Sequence, residues 1–472
     1  MVPPPPTHSP AGSLASSSST SSISDSDSLD EAITLSSVPT SPIAESKTAS
    51  KSLIRIPWLS KLASFIHLKQ FIAVMLGQAQ FWFGALLGLR LVGLGWAIST
   101  SNQQKVKTSP SSPFDGITLS APDGSVTAKF VSFGATLTEL WVKDKFGKAR
   151  DVVLGYDDNS RLMTDPDHPV FNPIVGRYAN RLAGGTFSIP ITKNPQPDGP
   201  NVYHIPTNDH DGQVTLHGGL LGWDRRNWTV VAHTPTSVTF KHVDEAHEGF
   251  PGTVTAYATH TVSNGGTLKT TVRATATEKT PIMLTQHVYW NLDAYKSSSG
   301  SINATSNILD HHLQVSGSRV IALDSNAIPT GEFINVEGTP FDFRKSSKIG
   351  ARWVATTGLC GGECQGYDSC WIYDRPESGG VKTSLWSDRS GIRVDISTNQ
   401  PAVQVYTSYW LNTPRKAVHG GPDLKYDRWS AVAIEQQGYV DAINTPEFGV
   451  DQIYSPERPF EWSTSYKFST VH

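Results

Sequence analysis

The stretch "GTVTAYATHTVSNGGTLKTTVRATATEK", residues 252–279, decides the fold class. Val254, Ala256, Ala258, His260 and Val262 alternate with threonines and a tyrosine; "SNGG" interrupts; Leu268, Thr270, Val272 and Ala274 then resume the alternation. Period two on both sides of a Gly-rich break predicts an antiparallel hairpin with one apolar face. "SVTAKFVSFGATLTELWV" (125–142) and "TSVTFKHV" (236–243) repeat the pattern, and "PDGS", "DKFGK" and "SGSR" supply turn chemistry between such runs. Few windows carry a helical period. From about residue 114 to 472 the chain therefore reads as all-β, a large antiparallel β-sandwich, either single or in two tight subdomains. No short internal repeat points to a propeller.

The first hundred residues differ in kind. "PPPPTHSPAGSLASSSSTSSISDSDSLD" is poor in large apolar side chains, so residues 1–55 are expected to be disordered. "FIAVMLGQAQFWFGALLGL" (71–89) carries no charge and has the length of a membrane span; Lys61 and Lys69 precede it. Read from Met75, residues 75–99 instead resemble a secretory signal ending in the small-x-small "AIS". Residues 71–99 are thus expected to be a membrane tether or signal, with 101–113 as a linker and the sandwich at 114–472 outside the cytosol. Sequons at Asn227 and Asn303 agree with that location. The cysteines, Cys360, Cys364 and Cys370, lack zinc-site spacing and suggest one local disulfide of open pairing. A formal net charge of −3 argues against a nucleic-acid partner.

The chain has no nucleotide-binding glycine motif, no H-E-x-x-H and no G-x-S-x-G elbow. Its polar residues sit instead in dense Gly/aromatic motifs. In order these are "NPIVGRYANRLAGGTFSI" with Arg177 and Arg181, "TLHGGLLGWDRRNW" with His217, and "TQHVYWNL" with His287 and Asn291. "GYDSCWIYD" with Asp368, "PAVQVYTSYWL" with Gln404 and "AVAIEQQGYVDAINTPEF" with Glu435 follow. Taken singly, each polar residue has a structural explanation, such as a satisfied core histidine or a turn-capping aspartate. The adjacent His311 and His312 match none of these motifs and read as surface residues.

The ordered series, with "EGFPGTV", "IPTGEF" and "GTPFDFR", resembles the aldose 1-epimerase (galactose mutarotase) family from about residue 115 onward. The resemblance implies a galactose mutarotase-like supersandwich that binds a free hexose, with no cofactor and no metal. It makes His287 the general acid and Glu435 the general base, and gives Arg177, His217, Asp368 and Gln404 the sugar hydroxyls. The sequence departs from the family at Ser369, where a histidine is common, and in the turn after Glu435. A base that takes the proton of the anomeric hydroxyl and an acid that protonates the ring oxygen suffice to open and reclose a hemiacetal. Two rivals remain: a hexose-phosphate epimerase, for which Arg225 and Arg226 are candidate phosphate ligands, and a non-catalytic carbohydrate-binding sandwich.

Overall fold

A computed structural model describes residues 110–296, 305–376 and 379–472. Residues 1–55, the apolar run 71–99, most of the 101–113 linker and the Asn303 sequon lie outside them. No helix among the described residues is long and apolar enough to cross a membrane. Asn227 of the other sequon is exposed.

The opening stretch forms the antiparallel pair Val254–Ser263 and Thr267–Ala276, in register from Val254 opposite Ala276 to Ser263 opposite Thr267. Gly265 and Gly266 take φ of +76° and +75° in the turn, a conformation open to glycine without steric cost. Val254, Ala256, Ala258, His260 and Val262 are all buried, as are Leu268, Thr270, Val272 and Ala274 across from them. A one-residue slip would turn this whole set into water, so the register is fixed by burial.

The pair sits within a nine-stranded antiparallel sheet, continued by Phe460–Thr470, Ile392–Thr398 and Thr383–Trp386. A six-stranded antiparallel sheet provides the second layer. Its order is Tyr289–Trp290, Val432–Gln437, Ala402–Tyr406, Asp368–Ile372, Arg319–Leu323 and Pro329–Asn335. The main core fills the space between them: Val272, Val394, Trp462 and Tyr466 from one sheet, and Trp290, Trp371, Val403, Val405, Val432 and Ile434 from the other. A four-stranded sheet, Ile117–Ser120 to Ala149–Asp151, adds Leu119, Phe130 and Leu140 to the same core. The protein is an all-β antiparallel sandwich.

Two sequence expectations are refined here. The disulfide joins Cys360 to Cys364, and Cys370 is a buried free thiol. His311 is not a surface residue: it is fully buried, and its Nε2 accepts the Leu292 backbone N–H at 3.0 Å. Its neighbour His312 points the other way, stacks on Trp386 and meets Asp388 at 2.9 Å.

Candidate active site

Strand alternation builds the floor of the site. In Val432–Gln437 the residues Val432 and Ile434 face the core, so Ala433 and Glu435 face away from it. Directly opposite residues share a face. Gln404 lies opposite Glu435, and Tyr406 lies opposite both Ala433 and Asp368. Glu435, Gln404, Tyr406 and Asp368 therefore come together on the outer face of the six-stranded sheet.

His287 reaches the same place from an irregular segment between Thr285–Gln286 and Tyr289–Trp290. Its backbone N–H donates to Pro173 O at 3.1 Å, and its carbonyl accepts the Asn172 N–H at 3.1 Å. Asn172, fully buried at φ +63°, clamps this segment with its side chain. Its amide donates to Leu137 O (2.9 Å) and Leu154 O (2.7 Å), and its carbonyl accepts the Tyr289 N–H at 2.9 Å. The clamp leaves His287 Nε2 3.3 Å from Glu435 Oε1.

The cleft over this floor has a volume of about 660 Å³. His217 lines it, with its ring 5.3 Å from that of His287 and nearly perpendicular to it. The Asn180 N–H donates to His217 Nδ1 at 3.2 Å, so the neutral ring carries its proton on Nε2 as a donor. Burial, reinforced by the His287 and Arg181 charges, holds His217 well below the usual imidazole range. Gln404 Nε2 donates to Asp368 Oδ1 at 2.6 Å, and Asp368 Oδ2 faces Arg181 Nη2 at 3.5 Å. Glu435 Oε2 and Gln404 Oε1 are buried without a partner among the described residues, the condition of groups that await a ligand.

Arg177 is not part of this cleft. It is fully buried, donates to Asp244 Oδ2 (2.8 Å), Pro251 O (2.7 Å) and Thr280 Oγ1 (3.0 Å), and braces the sandwich. Arg181, four residues on in the same motif, lines the cleft beside Asn180. His287, Glu435, His217, Asp368 and Gln404 are brought together as expected from sequence; Asn180, Arg181 and Tyr289 were given no role there.

The electrostatics suit proton exchange. Burial pulls the His287 imidazole down to about 4. Burial, with repulsion from Asp368, pushes the Glu435 carboxyl well above the usual carboxylate range, and Arg181 offsets part of this. A protonated His287 is thus a strong acid and an ionised Glu435 a strong base. Both shifts favour the uncharged pair; one proton passed across the 3.3 Å from Glu435 to His287 gives the charged pair, the strong acid beside the strong base.

The description "Aldose 1-epimerase" belongs to the family model that matches residues 115–467. A protein of Arthroderma benhamiae named "Probable aldose 1-epimerase" is 36% identical over 396 residues, covering 75% of this chain and 86% of its own. Mouse galactose mutarotase is 33% identical over 346 residues, covering 73% and 92%. Among solved structures, an aldose epimerase homologue from C. elegans superposes with a TM-score of 0.65 at 29% identity, covering 76% of this chain and 99% of its own. On sequence and on fold alike, the chain belongs to the aldose 1-epimerase family.

Proposed function

We propose that the protein interconverts the α and β anomers of free hexoses such as glucose and galactose. The observation that carries this reading is the His287–Glu435 pair, 3.3 Å apart in a cleft. The ring oxygen and the anomeric hydroxyl are bonded to the same carbon, so the groups that serve them must be neighbours. Glu435 takes the proton of the C1 hydroxyl, the C1–O5 bond breaks, and O5 takes a proton from His287. The open aldehyde turns about C1–C2. Neutral His287 then takes the O5 proton back, O5 attacks the other carbonyl face, and Glu435 returns its proton to O1. Asp368, Gln404, Arg181, Asn180 and His217 supply the acceptors and donors that hold the remaining hydroxyls.

Charge in the cleft favours an unphosphorylated sugar. Arg181 is the one lysine or arginine among the described lining residues, against six residues bearing carboxyl groups. Arg225 and Arg226 do not line it. Polarimetry with freshly dissolved α-glucose, α-galactose and glucose 6-phosphate tests the proposal. Acceleration of the two free sugars above the spontaneous rate is expected; acceleration of the phosphate ester alone overturns it.

We further propose that the domain works in an oxidising compartment outside the cytosol. The Cys360–Cys364 disulfide and the exposed Asn227 sequon support this. A shift of the purified native protein on deglycosylation checks it; a protein with an unmodified Asn227 and both thiols free counts against it.

A further inference from the structure

Two separate pieces of the fold meet at the cleft. The floor is the six-stranded sheet, which carries Glu435, Gln404 and Asp368. One wall is a small two-stranded ladder, Arg181–Ala183 paired with Val214–Leu216. Arg181 opens the first of these strands, and the flanking residues Asn180 and His217 are joined by a bond from the His217 N–H to Asn180 O at 2.9 Å. All three line the cleft. The ladder shares no strand with the large sheets, and a two-stranded ladder is marginal by itself. Its placement against the base must come from other contacts.

The chain that leaves the base supplies them. Asp441 follows Glu435 in the next turn, 1% exposed and at φ +47°. Its Oδ2 accepts the Ala183 N–H at 3.2 Å, at the end of the Arg181 strand. Its Oδ1 accepts Asn444 Nδ2 at 3.0 Å. The same amide donates to Thr186 O at 2.9 Å, where the strand Thr186–Ser188 begins. Gly184 and Gly185, both at φ +60°, turn the chain between the two attachment points. Leu182, Phe187 and Ile443 join the same segments in one apolar cluster. A buried carboxyl is costly unless hydrogen-bonded. Burial pushes that of Asp441 up to about 8, so near neutral pH it is mostly uncharged and its part is to accept hydrogen bonds. The proton exchange at C1 and O5 makes no use of it.

We propose that Asp441 and Asn444 are positioning residues: they tie both ends of the Arg181 turn to the segment that follows Glu435, and so set the Arg181 guanidinium against the base and Asp368. The inference rests on the epimerase reading and adds to it the groups that align the sugar-holding wall with the floor. Both ties end on backbone atoms, of Ala183 and Thr186, so they depend on the Asp441 and Asn444 side chains alone.

The experiment measures galactose mutarotation by polarimetry for the full chain and its Asp441→Ala, Asp441→Asn, Arg181→Ala and Asp441→Ala/Arg181→Ala variants, each checked by circular dichroism. Asp441→Ala is expected to raise KM about tenfold, the scale of one weakened charge-assisted hydrogen bond, with a smaller change in kcat. Asp441→Asn keeps an oxygen for the Ala183 N–H and should bring KM to within about threefold of the wild type. If the ties act through Arg181, Asp441→Ala should raise KM less than about twofold once Arg181 is gone. An unaltered KM in Asp441→Ala, or the same rise with and without Arg181, overturns the proposal. Should Asp441→Ala fail to fold, Asn444→Ala takes its place with the same expectations, and the same two outcomes overturn it. If the wild-type chain fails to accelerate galactose, the epimerase reading falls, and galactose affinity from saturation-transfer NMR on the same proteins decides the ties separately. A Kd that follows the pattern expected of KM supports them. A Kd unchanged in Asp441→Ala, one that rises equally with and without Arg181, or no binding at all overturns them.

Discussion

At the residue scale, the catalytic assignment separates cleanly by substitution. Glu435→Gln keeps the size of the side chain but removes the base; His287→Asn keeps a hydrogen-bonding group but removes the titrating ring. Each is expected to lower kcat by about 10²–10⁴-fold with circular dichroism unchanged. The double variant should lose far less than the product, since both groups serve one proton exchange. A Glu435→Gln enzyme that keeps more than about a tenth of its rate would place the base elsewhere. The two arginines of "GRYANRL" divide differently. Arg181→Ala should raise KM for hexoses in a folded protein, because its guanidinium faces Asp368 and Asp209 in the cleft. Arg177→Ala should instead lower the urea midpoint, because it leaves Asp244 partly unpaired against the core, a loss on the order of 3–5 kcal/mol for a broken buried pair. Equal stability of the two variants would contradict this division. The motif alone leaves the choice open: Asn180 at φ +58° turns the chain between Arg177 and the strand that Arg181 opens. Which guanidinium ends up in the cleft is decided by tertiary partners far along the chain, Asp244 for one and Asp368 for the other.

At the element scale, the sandwich was legible wherever strands alternate, and the site was less so where they do not. The hairpin at 252–279 shows its buried face in plain period two. The strand Val432–Gln437 does the same once Val432 and Ile434 are taken as inward, which sends Glu435 outward. The adjacent His311 and His312 show the limit. Neighbouring residues at a strand start face opposite ways, so one is buried and the other is not, and a composition-based reading treats them alike. Asn172 marks the other limit, since its clamp joins backbone groups from segments far apart in sequence. Asn172→Ala should unpair Leu137 O, Leu154 O and the Tyr289 N–H, at a cost of at least about 2 kcal/mol. It should also lower kcat more than it raises KM, because the clamp holds the segment that carries His287, while Asp368 and Gln404, assigned to the sugar hydroxyls, sit on the sheet. Urea titration together with steady-state polarimetry checks both effects. A stability loss with kcat unaltered would make Asn172 structural only.

At the scale of the whole molecule, the layered core that makes the sandwich stable also sets its acid limit. His260 lies in the hairpin that decides the fold, fully buried, with its ring stacked on Phe130 at 4.2 Å between centroids. Its Nδ1 shares a hydrogen bond with Thr270 Oγ1 at 2.9 Å, across the strand pair. Burial alone pulls its imidazole down to about 3. The unfolded chain takes up this proton near the ordinary value of about 6.5, whereas the folded chain refuses it until near pH 3. The unfolded state therefore binds more protons throughout that window. The stability contributed by neutral His260 is complete above about pH 6.5 and is lost as pH falls, at up to roughly 1.4 kcal/mol per pH unit. His260→Gln removes the titration while keeping a partner for Thr270. The variant is expected to start less stable at neutral pH and to gain on the wild type steadily as pH falls, with the two urea-unfolding curves converging between about pH 6 and pH 4. The difference between the two proteins isolates this group, since every other buried histidine titrates in both. A difference in unfolding free energy that stays constant across that range would show that the proton reaches His260 in the folded state, and that the core between the sheets is more open to water than its packing implies.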